Sequence, residues 1–417
     1  MSESRGRLAL YTIFRCTNYG AVLQAFALTR VLRGIVGEDR LDVINHLMDS
    51  RDTHLLGKIA NPNTPWFQRW RNRRKFAARY FHPELFELRR QSTIKLIENF
   101  IRPTQRLYKR PSQLHDLPPY RTVVVGSDQV WKPALNHDFD HNQYLCVDFP
   151  ESQDRVAYAA SFGVVALPGE CVKEYRAALS RFRAITVREE TGARICSELL
   201  PSVAPQTVLD PTLLMTAEEW RAIVFDGSGK SNGLGECEGH NVHSVPNSAN
   251  PASGRYLVAY WVRLLTQADV DRLSNISRSH GAPVCLLSAG PLPKLDFPSS
   301  VVPYVNADPF DFVRVIAGSM GVVTDSFHGL QFAAVFRKPF IALGDLSKAG
   351  TNVSRLTDFC RRYGVENGVR DLAEFRLGSM TADFAGADFD AALMDKDRGD
   401  SFAALKKMLA PVLGEGV

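Results

Sequence analysis

The stretch Gly321-Val-Val-Thr-Asp-Ser-Phe-His-Gly-Leu-Gln-Phe-Ala-Ala-Val-Phe336 decides the fold class. Val322, Val323 and Thr324 read as a short buried strand and residues 325–329 as a tight loop. Residues 330–336 read as an apolar helix stopped by Arg337-Lys338-Pro339, and a further strand, 340–343, follows at once. Strand, loop, helix, strand is the repeating unit of a parallel sheet. Ligands of such sheets bind beyond the carboxyl ends of the strands, beside helix N-termini. Asp325, Ser326 and His328 therefore stand where an α/β protein keeps its polar chemistry. The plainer reading is a loop histidine that only helps to start a helix.

The same grammar recurs on both sides. Residues 8–14, 41–45, 122–125, 155–160, 184–187 and 206–209 read as strands, with a helix over 21–32. From Arg255 the pattern restarts: strands at 256–260 and 283–287, helices at 266–279 and 309–317, a helix over 355–363 and a turn and last helix within 387–413. Several strands deliver polar residues at their ends: Asn18-Tyr19-Gly20, Gly126-Ser127-Asp128-Gln129-Val130-Trp131, Arg188-Glu189-Glu190 and Asp210-Pro211-Thr212. Gly20 lets backbone approach a ligand and the amides there favour an anion, although the glycine spacing is not a dinucleotide or Walker fingerprint. The Ser127–Trp131 loop suits a sugar, with Trp131 stacking and Asp128 and Gln129 bonding hydroxyls; the alternative is a tight turn with a buried Trp.

The length of 417 residues exceeds one ordinary core. We expect an N-terminal α/β domain over 1–224 with a basic helical insertion near 50–110, a flexible insertion at 225–254, a C-terminal α/β domain over 255–385 and a helical tail over 386–417. Two such halves would face each other across a cleft. Hydrophobic content of 45% and charged content of 23% fit a soluble globular chain, and no apolar run approaches the roughly 20 residues of a membrane span. Seven cysteines without close pairs fit a reduced, cytoplasmic compartment. The net charge of +5 is local: 66–110 carries an excess of basic residues interleaved with Trp66, Phe67, Trp70, Phe76 and Tyr80. That segment reads either as a solvated helix with its aromatics in the core or as a peripheral contact with an anionic inner membrane face. No recognition motif points to nucleic acid. Cys237, His240 and His243 match no standard zinc spacing, and no metal is expected.

Six motifs occur in order: Tyr19-Gly-Ala-Val-Leu-Gln-Ala25, Val125-Gly-Ser-Asp-Gln-Val-Trp131, Tyr158-Ala-Ala-Ser-Phe-Gly163, Val187-Arg-Glu189, Leu209-Asp-Pro-Thr-Leu213 and Thr324-Asp-Ser-Phe-His-Gly329. Together the chain resembles the polysaccharide pyruvyl transferase family from about residue 8 to 365. The resemblance implies two Rossmann-like domains in a GT-B-like arrangement. It also implies phosphoenolpyruvate as co-substrate, a saccharide acceptor and a pyruvate ketal as product in cell-surface polysaccharide biosynthesis, with no cofactor. Arg188 matches the family's donor-binding Arg. A second Arg, two residues before the family's histidine, is replaced by Ser326, and Lys348 and Arg355 are candidates to supply its charge. On this reading His328 is the general acid with Asp325 beside it. Asn18, Tyr19, Gly20 and Ser326 line the donor pocket; Ser127, Asp128, Gln129 and Trp131 face the acceptor, which a lipid diphosphate could carry. The competing readings are a GT-B glycosyltransferase using a nucleotide sugar, and a family member with another donor.

Overall fold

The structure is a computed structural model, and it describes residues 6–47, 74–133, 142–225, 255–346, 353–365, 368–378 and 383–414. Cys237, His240, His243, Lys348, the 226–254 stretch and Trp66, Phe67 and Trp70 lie outside the described residues.

Among the described residues, twelve strands form two sheets. The first holds β1 (Leu8–Tyr11), β2 (Leu41–Val43), β3 (Thr122–Val125), β4 (Arg155–Ala160), β5 (Ala184–Val187) and β6 (Gln206–Thr207), in the order β2-β1-β3-β4-β5-β6. The second holds β7 (Leu257–Trp261), β8 (Val284–Ser288), β9 (Val301–Pro303), β10 (Gly321–Thr324), β11 (Phe340–Gly344) and β12 (Val369–Asp371), in the order β12-β11-β10-β7-β8-β9. Every pairing is parallel. Central strands such as β3 and β10 are buried along their whole length, as a parallel sheet covered on both faces requires. The strand order reverses between β1 and β3 in the first lobe and between β7 and β10 in the second, and ligands of doubly wound sheets bind outside such reversals.

The helices are α1 (Tyr19–Val36), α2 (Pro83–Leu96), α3 (Val172–Leu179), α4 (Glu190–Leu199), α5 (Pro211–Leu214), α6 (Ala217–Phe225), α7 (Gln267–His280), α8 (Pro309–Gly318), α9 (Phe327–Val335), α10 (Val353–Arg362), α11 (Leu372–Leu377) and α12 (Ala391–Leu413). Helix α9 is buried on every face, which fits a sequence that is apolar but for His328 and Gln331. Several bounds differ from expectation. Strand β1 stops at Tyr11, because the chain from Thr12 turns towards the other lobe. Helix α1 starts at Tyr19, where Asn18 caps it, and runs to Val36, where Gly37 at φ 98° ends it. The edge strands β9 and β12 escaped the sequence reading, being short and partly exposed.

Each lobe sends an element to the other. The chain before and within α2 packs on the second lobe, where Phe81 N–H donates to Leu292 O (2.8 Å) and Phe76 and Phe86 bury among Leu257, Trp261 and Leu292. Those aromatics of the basic segment that are described thus face the protein. Arg89, 1% exposed, donates to the carbonyls of Thr17, Ser288 and Ala289 and lies 4.1 Å from the Tyr19 ring centroid. Helix α12 returns to the first lobe, where Arg398 donates to Leu213 O (2.8 Å) and Ser401 Oγ accepts from Leu209 N–H (2.9 Å). No described helix is long and apolar enough to cross a membrane.

Candidate active site

The loop after β10 is pinned before it reaches His328. Thr324 Oγ1 donates to Tyr260 O (2.8 Å) and accepts from Ser326 N–H (3.0 Å), while Ser326 Oγ caps α9 by accepting from Gly329 N–H (3.4 Å). His328 follows in the first turn of α9, 5% exposed, with its ring against Gly20 of the other lobe. A Cβ at Gly20 would lie 2.2 Å from His328 Nδ1, so this approach demands glycine.

The other lobe supplies the charges that meet the imidazole. Asp210, at the start of α5, places Oδ2 3.6 Å from His328 Nε2. The same oxygen accepts from Arg188 Nη1 at 2.6 Å, and Asp128 Oδ1 accepts from Arg188 Nη2 at 3.2 Å. Arg188 comes from the end of β5, and its guanidinium lies 4.9 Å from the Phe327 ring centroid. Burial pushes the Asp210 carboxyl up, but His328 and Arg188 outweigh it and hold it well below the usual carboxylate range. Burial opposes the Arg188 charge, yet Asp210, Asp128 and Glu189 fix it as a cation. Arg355 of α10 lies 5.4 Å from the same ring centroid; burial, then Arg188, lower its pKa to about 10. Burial likewise lowers Lys132, and Arg355 adds to the effect, which brings this lysine within the field of the cluster. The Glu189 carboxyl is raised by burial, in part offset by Arg188; its Oε1 accepts from Ser161 Oγ (2.7 Å).

Against this cluster lies a cavity of about 160 Å³, lined by Glu189, Asp210, Phe327, Gln331, Arg355 and Phe359 among others. Gln331 is 1% exposed, and its Oε1 accepts from Thr212 Oγ1 at 3.3 Å.

A family profile for polysaccharide pyruvyl transferase matches residues 18–346. The chain belongs to the polysaccharide pyruvyl transferase family. Among solved structures, the S. aureus MnaA–UDP complex superposes with TM-score 0.52 at 10% identity, covering 98% of each chain. UDP-GlcNAc 2-epimerase from Neisseria meningitidis bound to UDP-GlcNAc gives 0.44 at 9% identity, covering 96% of this chain and 98% of that one. The glycosyltransferase SnogD from Streptomyces nogalater gives 0.39 at 13% identity, covering 98% and 97%. The first of these likenesses, with the two parallel sheets, shows the fold: two Rossmann-like domains of the GT-B kind. No curated protein matches the chain.

Within this pyruvyl transferase family member, His328, Arg188, Arg355, Asp128 and Gly20 converge between the lobes; Ser326 only caps α9, and other expected residues lie elsewhere. Asp325 is not the carboxylate beside His328; its Oδ1 accepts from Val262 N–H (2.7 Å) and its Oδ2 from Arg263 N–H (2.9 Å), and burial raises its pKa to about 6. The amides opening α1 are not offered to an anion, because Asn18 Oδ1 accepts from Gly20 and Ala21 N–H and also from the Tyr260 hydroxyl. Tyr19 is fully buried, donates to Ala307 O (3.0 Å) and stacks on Phe312. Ser127 is buried and donates to Ala159 O (2.9 Å). Trp131 is core: its Nε1 donates to Tyr144 O and its ring packs on Phe162 and Phe182. Gln129 lies against Gly163, where a Cβ would come within 2.9 Å of Gln129 Cδ. Asp210, Glu189, Gln331 and Lys132 are the site residues the sequence reading missed. Three of them adjoin or lie within motifs already singled out, which was the available signal.

Proposed function

We propose that this protein transfers a pyruvyl group from phosphoenolpyruvate to two hydroxyls of a saccharide, forming a ketal for cell-surface polysaccharide. The observation that carries the reading is His328, paired with Asp210 at 3.6 Å and flanked by Arg188 and Arg355, at the meeting of the lobes. His328, held 3.6 Å from Asp210, gives its proton to C3 of the donor. C2 becomes electrophilic, and a sugar hydroxyl adds there as its proton leaves. The C2–O bond to phosphate breaks with the electron pair going to phosphate. A second hydroxyl then adds to C2. Of the two hydroxyl protons, one restores His328 and the other ends on phosphate. This balance needs neither a metal nor a redox cofactor. Arg188 and Arg355 bind the donor's carboxylate and phosphate, with the planar fork of each suited to two-point contact.

The test supplies labelled phosphoenolpyruvate and, separately, labelled nucleotide sugar to the purified protein with an extract of lipid-linked saccharides. Label entering saccharide from phosphoenolpyruvate supports the reading; label entering only from nucleotide sugar replaces it with glycosyl transfer. With saturating donor, His328→Ala is expected to lower turnover by about a hundred- to ten-thousand-fold, the usual cost of losing a general acid.

A further inference from the structure

The loop first expected to face the acceptor is folded into the core, and the cavity beside Arg188 offers another place for it. At about 160 Å³ the cavity has room for a ring-sized ligand. Its wall carries three arginines, Arg188 and Arg355 among them, and six carboxylates, so negative groups outnumber positive ones. Its polar atoms complete the case. Gln331 Nε2, a donor, is buried with no hydrogen-bond partner among the described residues, and Glu189 Oε2, an acceptor, takes no hydrogen bond there, only an ion pair with Arg188 Nε at 3.7 Å. Such groups carry a cost that a hydroxyl able to give and receive would remove. Phe327 and Phe359 supply apolar wall for ring C–H groups.

We propose that this cavity is the acceptor subsite and seats one uncharged pyranose ring, with Gln331 donating to and Glu189 accepting from its hydroxyls. The assignment rests on the pyruvyl-transfer reading for the word acceptor, but the binding of a sugar ring does not. Phosphoenolpyruvate would then enter on the side where Lys132, Arg355 and Arg188 stand with His328.

The experiment uses the full chain and the methyl glycopyranosides of glucose, galactose and mannose at millimolar concentration, read by saturation-transfer NMR. At least one should receive saturation, and Gln331→Leu should weaken that binding about tenfold, the worth of one buried hydrogen bond. Phosphoenolpyruvate should raise the melting temperature of wild type and variant alike, and should not displace the glycoside. Gln331→Met, which keeps the side-chain length, serves if the leucine variant does not fold. Absence of saturation transfer to every glycoside in wild type would overturn the proposal. So would competitive displacement by phosphoenolpyruvate, which would make the cavity the donor's. If glycoside binds and phosphoenolpyruvate gives no shift in wild type, the ring site stands and the donor assignment falls.

Discussion

Helices α1 and α9 hold corresponding places in the two lobes. Each follows a strand that borders its sheet's reversal, β1 in one and β10 in the other, and each begins on a side-chain oxygen. The residue just past each strand ties it to its neighbour across the reversal: Thr12 Oγ1 donates to Ser127 O, beyond β3, and Asp325 accepts from Val262 N–H, beyond β7. The difference lies one turn on. Helix α1 presents Gly20, and α9 fills the space so left with His328. The His328 imidazole is therefore positioned by a side chain that is missing from the opposite lobe. Its counter-charge comes from a third element, Asp210 at the head of α5, a short helix packed on both α1 and α9.

The largest expected effect comes from cutting that third element. Asp210→Asn keeps the shape but strips a buried carboxylate from Arg188 and His328, and breaking a buried ion pair in this way costs about 3–5 kcal/mol. Because the folded state holds Asp210 below its ordinary range, the stability it contributes is present above about pH 4, the unfolded carboxylate's pKa, and fades as pH falls further. Urea denaturation should show a wide gap between wild type and variant at neutral pH that narrows in acid. A gap of constant size would mean that the cost lies in packing and not in charge.

Gly20→Ala attacks the pairing of the two helices directly. Alanine favours the helix itself by about 1 kcal/mol over glycine. The new methyl, however, must fall within van der Waals contact of the His328 ring, and overpacking costs about 1–3 kcal/mol. We expect net destabilisation with transfer activity down at least about tenfold, since a displaced acid loses its alignment. The double variant Gly20→Ala/His328→Ala should recover part of the stability and none of the activity, because the Cβ that alanine keeps at 328 lies 2.6 Å from the new methyl. If Gly20→Ala alone were silent in both measurements, the two helices would not be coupled through this contact.

How much of this could be read from the chain depended on where the deciding contacts lie. Val123–Val125 and Val322–Thr324 announced themselves because both faces of a central parallel strand are buried, and that leaves a continuous apolar run. Val301–Pro303 and Val369–Asp371 did not, because edge strands are short and half covered. Arg188 and His328 were legible as polar residues at strand ends. Asp210 was legible in the same way, but its pairing with His328 was not, because Asp-Pro also reads as a helix start; it is one, with Thr212 N–H donating to Oδ1, while Oδ2 meets Arg188 and, from the other lobe, His328. Trp131 misled for the reverse reason: only the tertiary packing of Phe162 and Phe182 shows that its ring is already covered.

The strand-end residues differ in charge, which gives a pH test. Thr12 does not titrate, whereas burial raises Asp325 from 3.8 to about 6. A folded state that keeps its proton longer than the unfolded one loses stability as pH rises through that window. Wild type should therefore weaken by on the order of 2 kcal/mol between about pH 4 and 6 relative to Asp325→Asn, with no further divergence above. The amide variant loses one acceptor at every pH, so the slope is the readout and not the offset. Parallel pH curves for the two proteins would place the Asp325 titration in the ordinary carboxylate range.

The smallest effect separates the two helix starts themselves. Asn18 Oδ1 accepts from two amides and a tyrosine hydroxyl, whereas Ser326 Oγ accepts from Gly329 N–H alone, at 3.4 Å. Removing a cap costs about 0.5–2 kcal/mol, and the fuller cap should cost more, so Asn18→Ala belongs near the top of that range and Ser326→Ala near the bottom. The comparison also bears on the donor. If the opening of α1 were an anion pocket that used the Asn18 side chain, Asn18→Ala would weaken phosphoenolpyruvate binding. Because Asn18 instead occupies the amides an anion would need, its loss should lower the melting temperature and leave donor affinity unchanged or slightly higher. Isothermal titration of both variants beside thermal unfolding decides it: a fall in donor affinity confined to Asn18→Ala would return the first lobe's helix end to the donor site.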